Sequence, residues 1–162
     1  MLRVRTALAT FAVASAAAII ACGSDSPTEI PPVPDIETTT FASSLNINLS
    51  TFTKTSYGLY YKDITVGTGA TIAKGDSVFV HYFGYFPTGV VFDSNPSTAA
   101  PFGFRVGAGN VIAGWDSAAV GMKLGGQRQI IVPPSLGYGS STRGSIPANS
   151  ILVFLITAVS KF

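Results

Sequence analysis

The side chains that usually carry chemistry are scarce in this chain. His81 is its one histidine, Cys22 is its one cysteine, and the eight carboxylates are widely spaced. A hydrolytic triad needs a nucleophile, a histidine and a carboxylate together, and a metal site needs several clustered ligands. The sequence therefore excludes both kinds of site and predicts neither metal nor cofactor. His81 alternates with Val80 and Tyr82 along a predicted strand, so we expect it on the outer face.

Aromatic side chains are instead dense beside glycine turns. Such a set can form an ordinary hydrophobic core, or it can line an apolar pocket. The residue types alone leave both interpretations open. The set consists of Tyr82, Phe92, Phe102, Phe104, Trp115, Tyr138 and Phe154.

The elements that must position these aromatics are mainly strands. Segments rich in β-branched or aromatic residues are bounded by glycine, proline, asparagine or Lys-Gly turns, which predicts short strands. One segment has helical spacing instead, with Trp115, Ala118, Ala119 and Met122 at i, i+3, i+4 and i+7. A single helix with one apolar stripe must bury that stripe against the sheet, so we predict an α+β roll. The predicted strands are 58–66, 76–86, 90–94, 102–106, 127–132 and 151–160.

The first residues predict export. Two arginines precede an apolar run that ends at Ala21 and is shorter than the roughly 20 residues needed to span a bilayer. We therefore predict a signal peptide over 1–21 rather than a transmembrane anchor. The order Ile-Ile-Ala before Cys22 resembles the lipobox of bacterial lipoproteins, which implies cleavage before Cys22 and its lipidation.

Composition then divides the remainder of the chain. Residues 22–44 are rich in proline, serine and threonine and are predicted to be a flexible tether. Residues 45–57 are predicted to be an N-terminal arm, and 58–162 the folded domain. Loss of 1–21 leaves equal numbers of basic and acidic residues, so no basic footprint for nucleic acid remains. Membrane attachment is expected to come from lipid, and a monomer is expected.

The order of short motifs along 58–162 strongly resembles the FKBP family of peptidyl-prolyl cis/trans isomerases. Several separated motifs occur in the family's order and approximate spacing. The resemblance implies a half-open antiparallel sheet of five to six strands curled around one short α-helix. The motifs are Val80-His81-Tyr82, Gly89-Val90-Val91-Phe92-Asp93-Ser94, Pro101-Phe102-Gly103-Phe104, Val111-Ile112-Ala113-Gly114-Trp115, Gly126-Gln127-Arg128, Gly137-Tyr138-Gly139 and Ile146-Pro147.

The resemblance also implies which residues form the site. Trp115 is expected to be the floor of a proline pocket, while the backbone N–H of Ile112 and the hydroxyl of Tyr138 donate hydrogen bonds to substrate carbonyls. Thr98 stands where the family commonly has an arginine that pairs with the aspartate, so Asp93 is expected to lack that partner. The implied catalytic residues are Tyr82, Phe92, Asp93, Trp115, Tyr138 and Phe154, and the implied substrate-binding residues are Phe102, Val111, Ile112 and Ile146.

The function expected from the resemblance is isomerisation of Xaa-Pro bonds in exported proteins, with possible inhibition by macrolides. The alternative is a chaperone or interaction module that holds proline-containing segments with little turnover. The location expected from Cys22, with Gly23 after it, is a lipid anchor in the bacterial outer membrane that faces the periplasm or the surface.

Overall fold

The computed structural model describes residues 33–162. The predicted signal peptide, 1–21, and the predicted lipidation site, Cys22, lie outside the described residues. Within the described part of the chain, no helix is long and apolar enough to cross a membrane.

The described chain folds into one antiparallel sheet with one α-helix, which confirms the predicted α+β roll. Seven strands pair in the order β1-β2-β6-β7-β3-β4, and β5 pairs with β3 beside β4. The count exceeds the predicted five to six because β1 is a two-residue strand. The elements are β1 (Thr53–Lys54), β2 (Tyr60–Thr65), β3 (Ser77–Tyr85), β4 (Val91–Asn95), β5 (Phe102–Arg105), α1 (Ala113–Ala119), β6 (Gln127–Val132) and β7 (Leu152–Lys161).

The helix ends earlier than its apolar spacing predicts. Val120 is already extended and Gly121 has a φ of +81°, a left-handed conformation that suits glycine because it has no Cβ. Met122 therefore lies beyond the helix but is still only 3% exposed. The whole apolar stripe is buried against the concave face of the sheet.

Alternation along the strands divides the sheet into two apolar faces. On β6, Ile130 and Val132 enter the core between the sheet and α1, whereas Ile131 points to the opposite, convex face. The concave core holds the aromatic set, including Trp115 and Phe154, except for the exposed Phe102. The convex face has a second, smaller core.

Residues 33–52, which we call the strap, cover part of the convex face. Ile36 and Leu45 of the strap are buried there, and the Gln129 side-chain amide donates to the Leu45 carbonyl at 2.9 Å. Three 3₁₀ turns shape the strap, and the Asp35 carboxylate caps the first of them by accepting from the Glu37 N–H at 3.0 Å. The structure thus differs from the predicted tether over 33–44, because a polar average composition concealed single apolar residues at positions that pack.

Candidate active site

A cavity of about 230 Å³ opens at one end of the roll, between the start of α1 and strands β3, β4, β5 and β7. Its walls are mostly aromatic. Nine of the ten residues predicted for the site line it, together with one that was not predicted. The lining residues are Tyr82, Phe92, Asp93, Phe102, Asn110, Val111, Ile112, Trp115, Tyr138 and Phe154.

Strand register brings the walls together at Gly84. This residue pairs with Phe154 on β7 and with Asp93 on β4. A Cβ at Gly84 would lie 2.7 Å from the Phe92 ring and 3.0 Å from the Phe154 ring, well inside carbon–carbon contact. The missing side chain at Gly84 is therefore what lets these two rings pack edge to face, 5.5 Å apart.

Trp115 forms the floor of the cavity from the first turn of α1. The backbone N–H of Trp115 donates to the Ile112 carbonyl at 2.9 Å, which fixes this first turn. The Trp115 side chain packs among other aromatic rings. The indole lies 4.9 Å from the Tyr82 ring and 5.3 Å from the Phe154 ring, both nearly perpendicular to it. The residue is only 4% exposed. Its Nε1 donates to no group in residues 33–162.

The helix can approach the sheet closely because residue 114 is glycine. A Cβ at Gly114 would lie 2.7 Å from Cγ1 of Val132 on β6. A larger residue would push the start of α1, and with it the indole of Trp115, away from the strands. Gly114 thus sets the depth of the cavity.

Hydrogen-bond donors without partners border the apolar floor. The backbone N–H of Ile112 and the hydroxyl of Tyr138 donate to nothing within the described residues. Both belong to residues that line the cavity. They are therefore free to donate to the carbonyl groups of a bound peptide.

The rim carries one hydrogen-bonded polar pair. The Tyr82 hydroxyl donates to Oδ2 of Asp93 at 2.8 Å. Burial of the phenol, and then this bond to the carboxylate, raise the pKa of Tyr82 well above its usual value, so the donor stays protonated. Within the described chain no Lys or Arg forms an ion pair with Asp93, in keeping with Thr98 at the position of the family arginine.

The structure places three further residues relative to the cavity: one was predicted for the site and lies outside it, one was not predicted and lines it, and the histidine lies outside it, as expected. Ile146 is not among the lining residues; it is 7% exposed, packs in the concave core, and exchanges backbone hydrogen bonds with Arg143 that close the loop after Tyr138. Asn110 lines the cavity although no motif pointed to it; its place directly before Val111 was the available signal. The His81 imidazole contacts the Asn95 side chain at 3.0 Å and does not line the cavity.

Comparisons with known proteins agree with this geometry. A sequence model of the family described as FKBP-type peptidyl-prolyl cis-trans isomerase matches residues 69–159. FK506-binding protein 4 of Chaetomium thermophilum is 46% identical over 101 residues, which are 62% of this chain and 21% of that protein. The crystal structure of AtFKBP13 superposes with a TM-score of 0.64 and 36% identity over 68% of this chain and 98% of that one. FkpA from Escherichia coli gives a TM-score of 0.64 and 30% identity over 74% of this chain and 55% of FkpA.

The predicted location is wrong. Close curated relatives are FK506-binding proteins of fungi and a fungal peptidyl-prolyl cis-trans isomerase; fungi are eukaryotes, and these relatives are not bacterial periplasmic lipoproteins. This finding contradicts the prediction that the chain is exported and lipid-anchored in a bacterial outer membrane. The prediction relied on an apolar run and one cysteine, a short pattern with little information beside that of the folded domain.

The folded domain itself carries much more information. The family match covers more than half of the chain, and AtFKBP13 is matched over almost its whole length, whereas the chain spans about a fifth of the curated relatives. The curled sheet around one short helix is the fold that the superposition with AtFKBP13 supports. The chain belongs to the family of FKBP-type peptidyl-prolyl cis-trans isomerases.

Proposed function

We propose that this chain catalyses cis/trans isomerisation of Xaa-Pro peptide bonds by binding the prolyl segment in the aromatic cavity. The observation that carries the proposal is the combination of an apolar floor at Trp115 with two unpartnered donors at its edge, Ile112 N–H and Tyr138 Oη. We propose that the functional unit is 58–162, whose residues supply every wall of the cavity.

The reaction needs no acid or base. Rotation about an Xaa-Pro bond is slow because amide resonance opposes it with a barrier near 18 to 20 kcal/mol. At the twisted transition state the amide has lost this resonance and is less polar than either planar isomer. An apolar cavity therefore binds the twisted amide better than the planar one, and that difference lowers the barrier. A tenfold acceleration requires about 1.4 kcal/mol.

The lining residues have distinct roles in this scheme. The prolyl ring lies over the indole of Trp115, beside the rings of Phe92 and Phe154. Ile112 N–H and the Tyr138 hydroxyl hold substrate carbonyls, so that only the amide in the cavity turns. Tyr82 orients the carboxylate of Asp93 at the rim.

The same cavity is proposed to take macrolides of the FK506 type. Several curated relatives are named FK506-binding proteins. A macrolide that occupies the space over Trp115 displaces the prolyl ring, so inhibition and substrate binding compete. We also propose that the chain acts as a monomer, since the cavity is built from one chain.

Within residues 33–162 Asp93 forms no ion pair, which favours a second candidate function, a module that holds proline-containing segments with little turnover. Such a module keeps denatured clients soluble even when substitutions at Phe92 and Asp93 abolish peptide isomerisation. Simultaneous loss of both activities in those variants contradicts it.

Isomerisation of a Leu-Pro tetrapeptide by the full chain tests the proposal. We expect acceleration over the uncatalysed reaction and its loss on addition of a rapamycin-type macrolide. Phe92→Leu, in the cavity, is expected to lower kcat/KM at least tenfold. Phe83→Leu, on the convex face and 36% exposed, is the matched control and should retain the wild-type rate. A rate equal to the uncatalysed one in the wild type refutes the proposal.

A further inference from the structure

The rim of the cavity carries an uncompensated negative charge. Asp93 is the one carboxylate among the lining residues, and no Lys or Arg lines the cavity. The sequence has no lysine or arginine between Lys74 and Arg105, a stretch that contains β3 and β4. The three ion pairs of residues 33–162 are formed elsewhere, by Lys54 with Glu37, Arg128 with Asp63, and Lys161 with Asp76.

The contacts of Asp93 do not neutralise it. Its partner, the Tyr82 hydroxyl, is a neutral donor that engages Oδ2 alone. The other oxygen, Oδ1, accepts no hydrogen bond within the described residues. Tyr82 therefore orients a full negative charge beside the floor of the cavity and leaves one carboxylate oxygen available.

The remaining nearby charges do not supply a counter-ion. Arg105 donates its Nε–H to the Gly75 carbonyl at 3.1 Å, at the opposite end of β5 from Phe102. Asp116 carries a negative charge itself, and its carboxylate accepts from the backbone N–H groups of Gly107 and Gly109. Arg143 lies on the loop after Tyr138, exposed, and its guanidinium makes no hydrogen bond within the described chain. Arg143 is thus the nearby cation that a control variant must remove, to test whether it compensates the charge of Asp93.

We infer that Asp93 selects substrates by charge, so that the cavity prefers a lysine or arginine directly before the proline over a glutamate or aspartate. This inference rests on the proposed binding of an Xaa-Pro segment in the cavity. With the prolyl ring over Trp115, the residue before proline is the one attached to the rotating amide, and its side chain leaves at the rim. A flexible cationic side chain there reaches the free oxygen of Asp93.

The size of the preference follows from exposure. Asp93 is exposed, so its attraction for a cation is weakened by water and screened by salt. We expect kcat/KM for a Lys-Pro peptide to exceed that for a Gln-Pro peptide two- to fivefold at low salt, which corresponds to about 0.4 to 1 kcal/mol. A Glu-Pro peptide is expected to fall below Gln-Pro by a similar factor. Both differences should vanish in 1 M NaCl.

The test compares tetrapeptides with Lys, Gln or Glu before proline, using the full chain. Turnover is measured by isomerisation and ground-state binding by the fluorescence of Trp115, the only tryptophan of the chain. In Asp93→Asn, which keeps the shape of the side chain and an acceptor for Tyr82, the three peptides should become equal in both measurements. Equal peptides in the wild type, or an unchanged preference in Asp93→Asn, overturn the inference.

Two controls separate this result from other effects. Asp35→Asn removes the same charge from the strap while keeping a residue that can cap its first turn, and should leave the preference unchanged. Arg143→Gln should retain or widen it, and loss of the preference in that variant contradicts the inference. If no peptide is turned over but binding still follows the order Lys, Gln, Glu, the charge inference stands and the isomerase proposal fails.

Discussion

A single methyl group added at Gly84 should push the Phe92 ring into the cavity and reduce its volume. In Gly84→Ala, the new Cβ lies 2.7 Å from one carbon of the Phe92 ring and 3.0 Å from one of Phe154. Carbon atoms pack best at about 3.5 to 4.0 Å, so Phe92 must move by about 0.8 Å, into a cavity of only about 230 Å³. Since a displacement of about 1 Å in a site can cost a hundredfold in rate, we expect kcat/KM to fall 10- to 100-fold.

The loss of activity in Gly84→Ala must be distinguished from a loss of stability. Overpacking of this kind costs about 1 to 3 kcal/mol, and most of the protein should remain folded. Gly103→Ala is the matched control, because its Cβ would meet the Phe79 ring at 2.9 Å and Phe79 does not line the cavity. It should show a similar loss in chemical denaturation but a kcat/KM within twofold of the wild type. Wild-type activity in Gly84→Ala, or an equal loss of activity in both variants, refutes the argument.

Three further predictions concern the scaffold. Arg128→Met should lower the free energy of unfolding by about 2 to 4 kcal/mol in urea titrations, because it leaves two carbonyls at the end of α1 without their donor and removes the ion pair of buried Arg128 with exposed Asp63. The Lys161 ammonium lowers the pKa of Asp76, so the ion pair between them stabilises the folded protein above the unfolded pKa near 3.8, and this stabilisation is lost as pH falls through the folded pKa. Asp76→Asn should therefore weaken the fall of the melting temperature at acid pH, measured by thermal melting across pH. Deletion of the strap, 33–52, which buries two of its own aliphatic side chains, should cost about 4 kcal/mol or more in the same urea assay, and an unchanged midpoint would show that the strap is not part of the folded unit.

Much of the fold follows from local patterns. Period-two alternation on β6 sends Ile130 and Ile131 to opposite faces, and the helical spacing from Trp115 identifies α1. The end of the helix does not follow from that spacing, because the conformation of Gly121 decides it. The order of the strands in the sheet cannot be predicted from periodicity either, because β2 pairs with β6 across a long stretch of sequence.

The cavity shows a similar division. Motif order indicates which residues come together, and nine of the ten do line one cavity, while their roles in binding and rotation stay predictions. Ile146 departs because a β-bridge with Arg143 turns it into the core, a contact within the loop that no motif reveals. The packing of the strap was missed because it depends on Ile36 and Leu45 meeting a sheet face that is formed by distant strands.

The pH dependence of kcat/KM for a Leu-Pro tetrapeptide tests the central claim most directly. The account requires acceleration without proton transfer, in a cavity whose titratable side chains are Tyr82, Asp93 and Tyr138. Carboxylic acids and phenols ordinarily titrate outside the interval from pH 6 to 9. The predicted result is a catalysed rate that stays flat across that interval and is lost in Trp115→Ala. A bell-shaped profile, or a rate that survives the loss of the indole, would contradict the account.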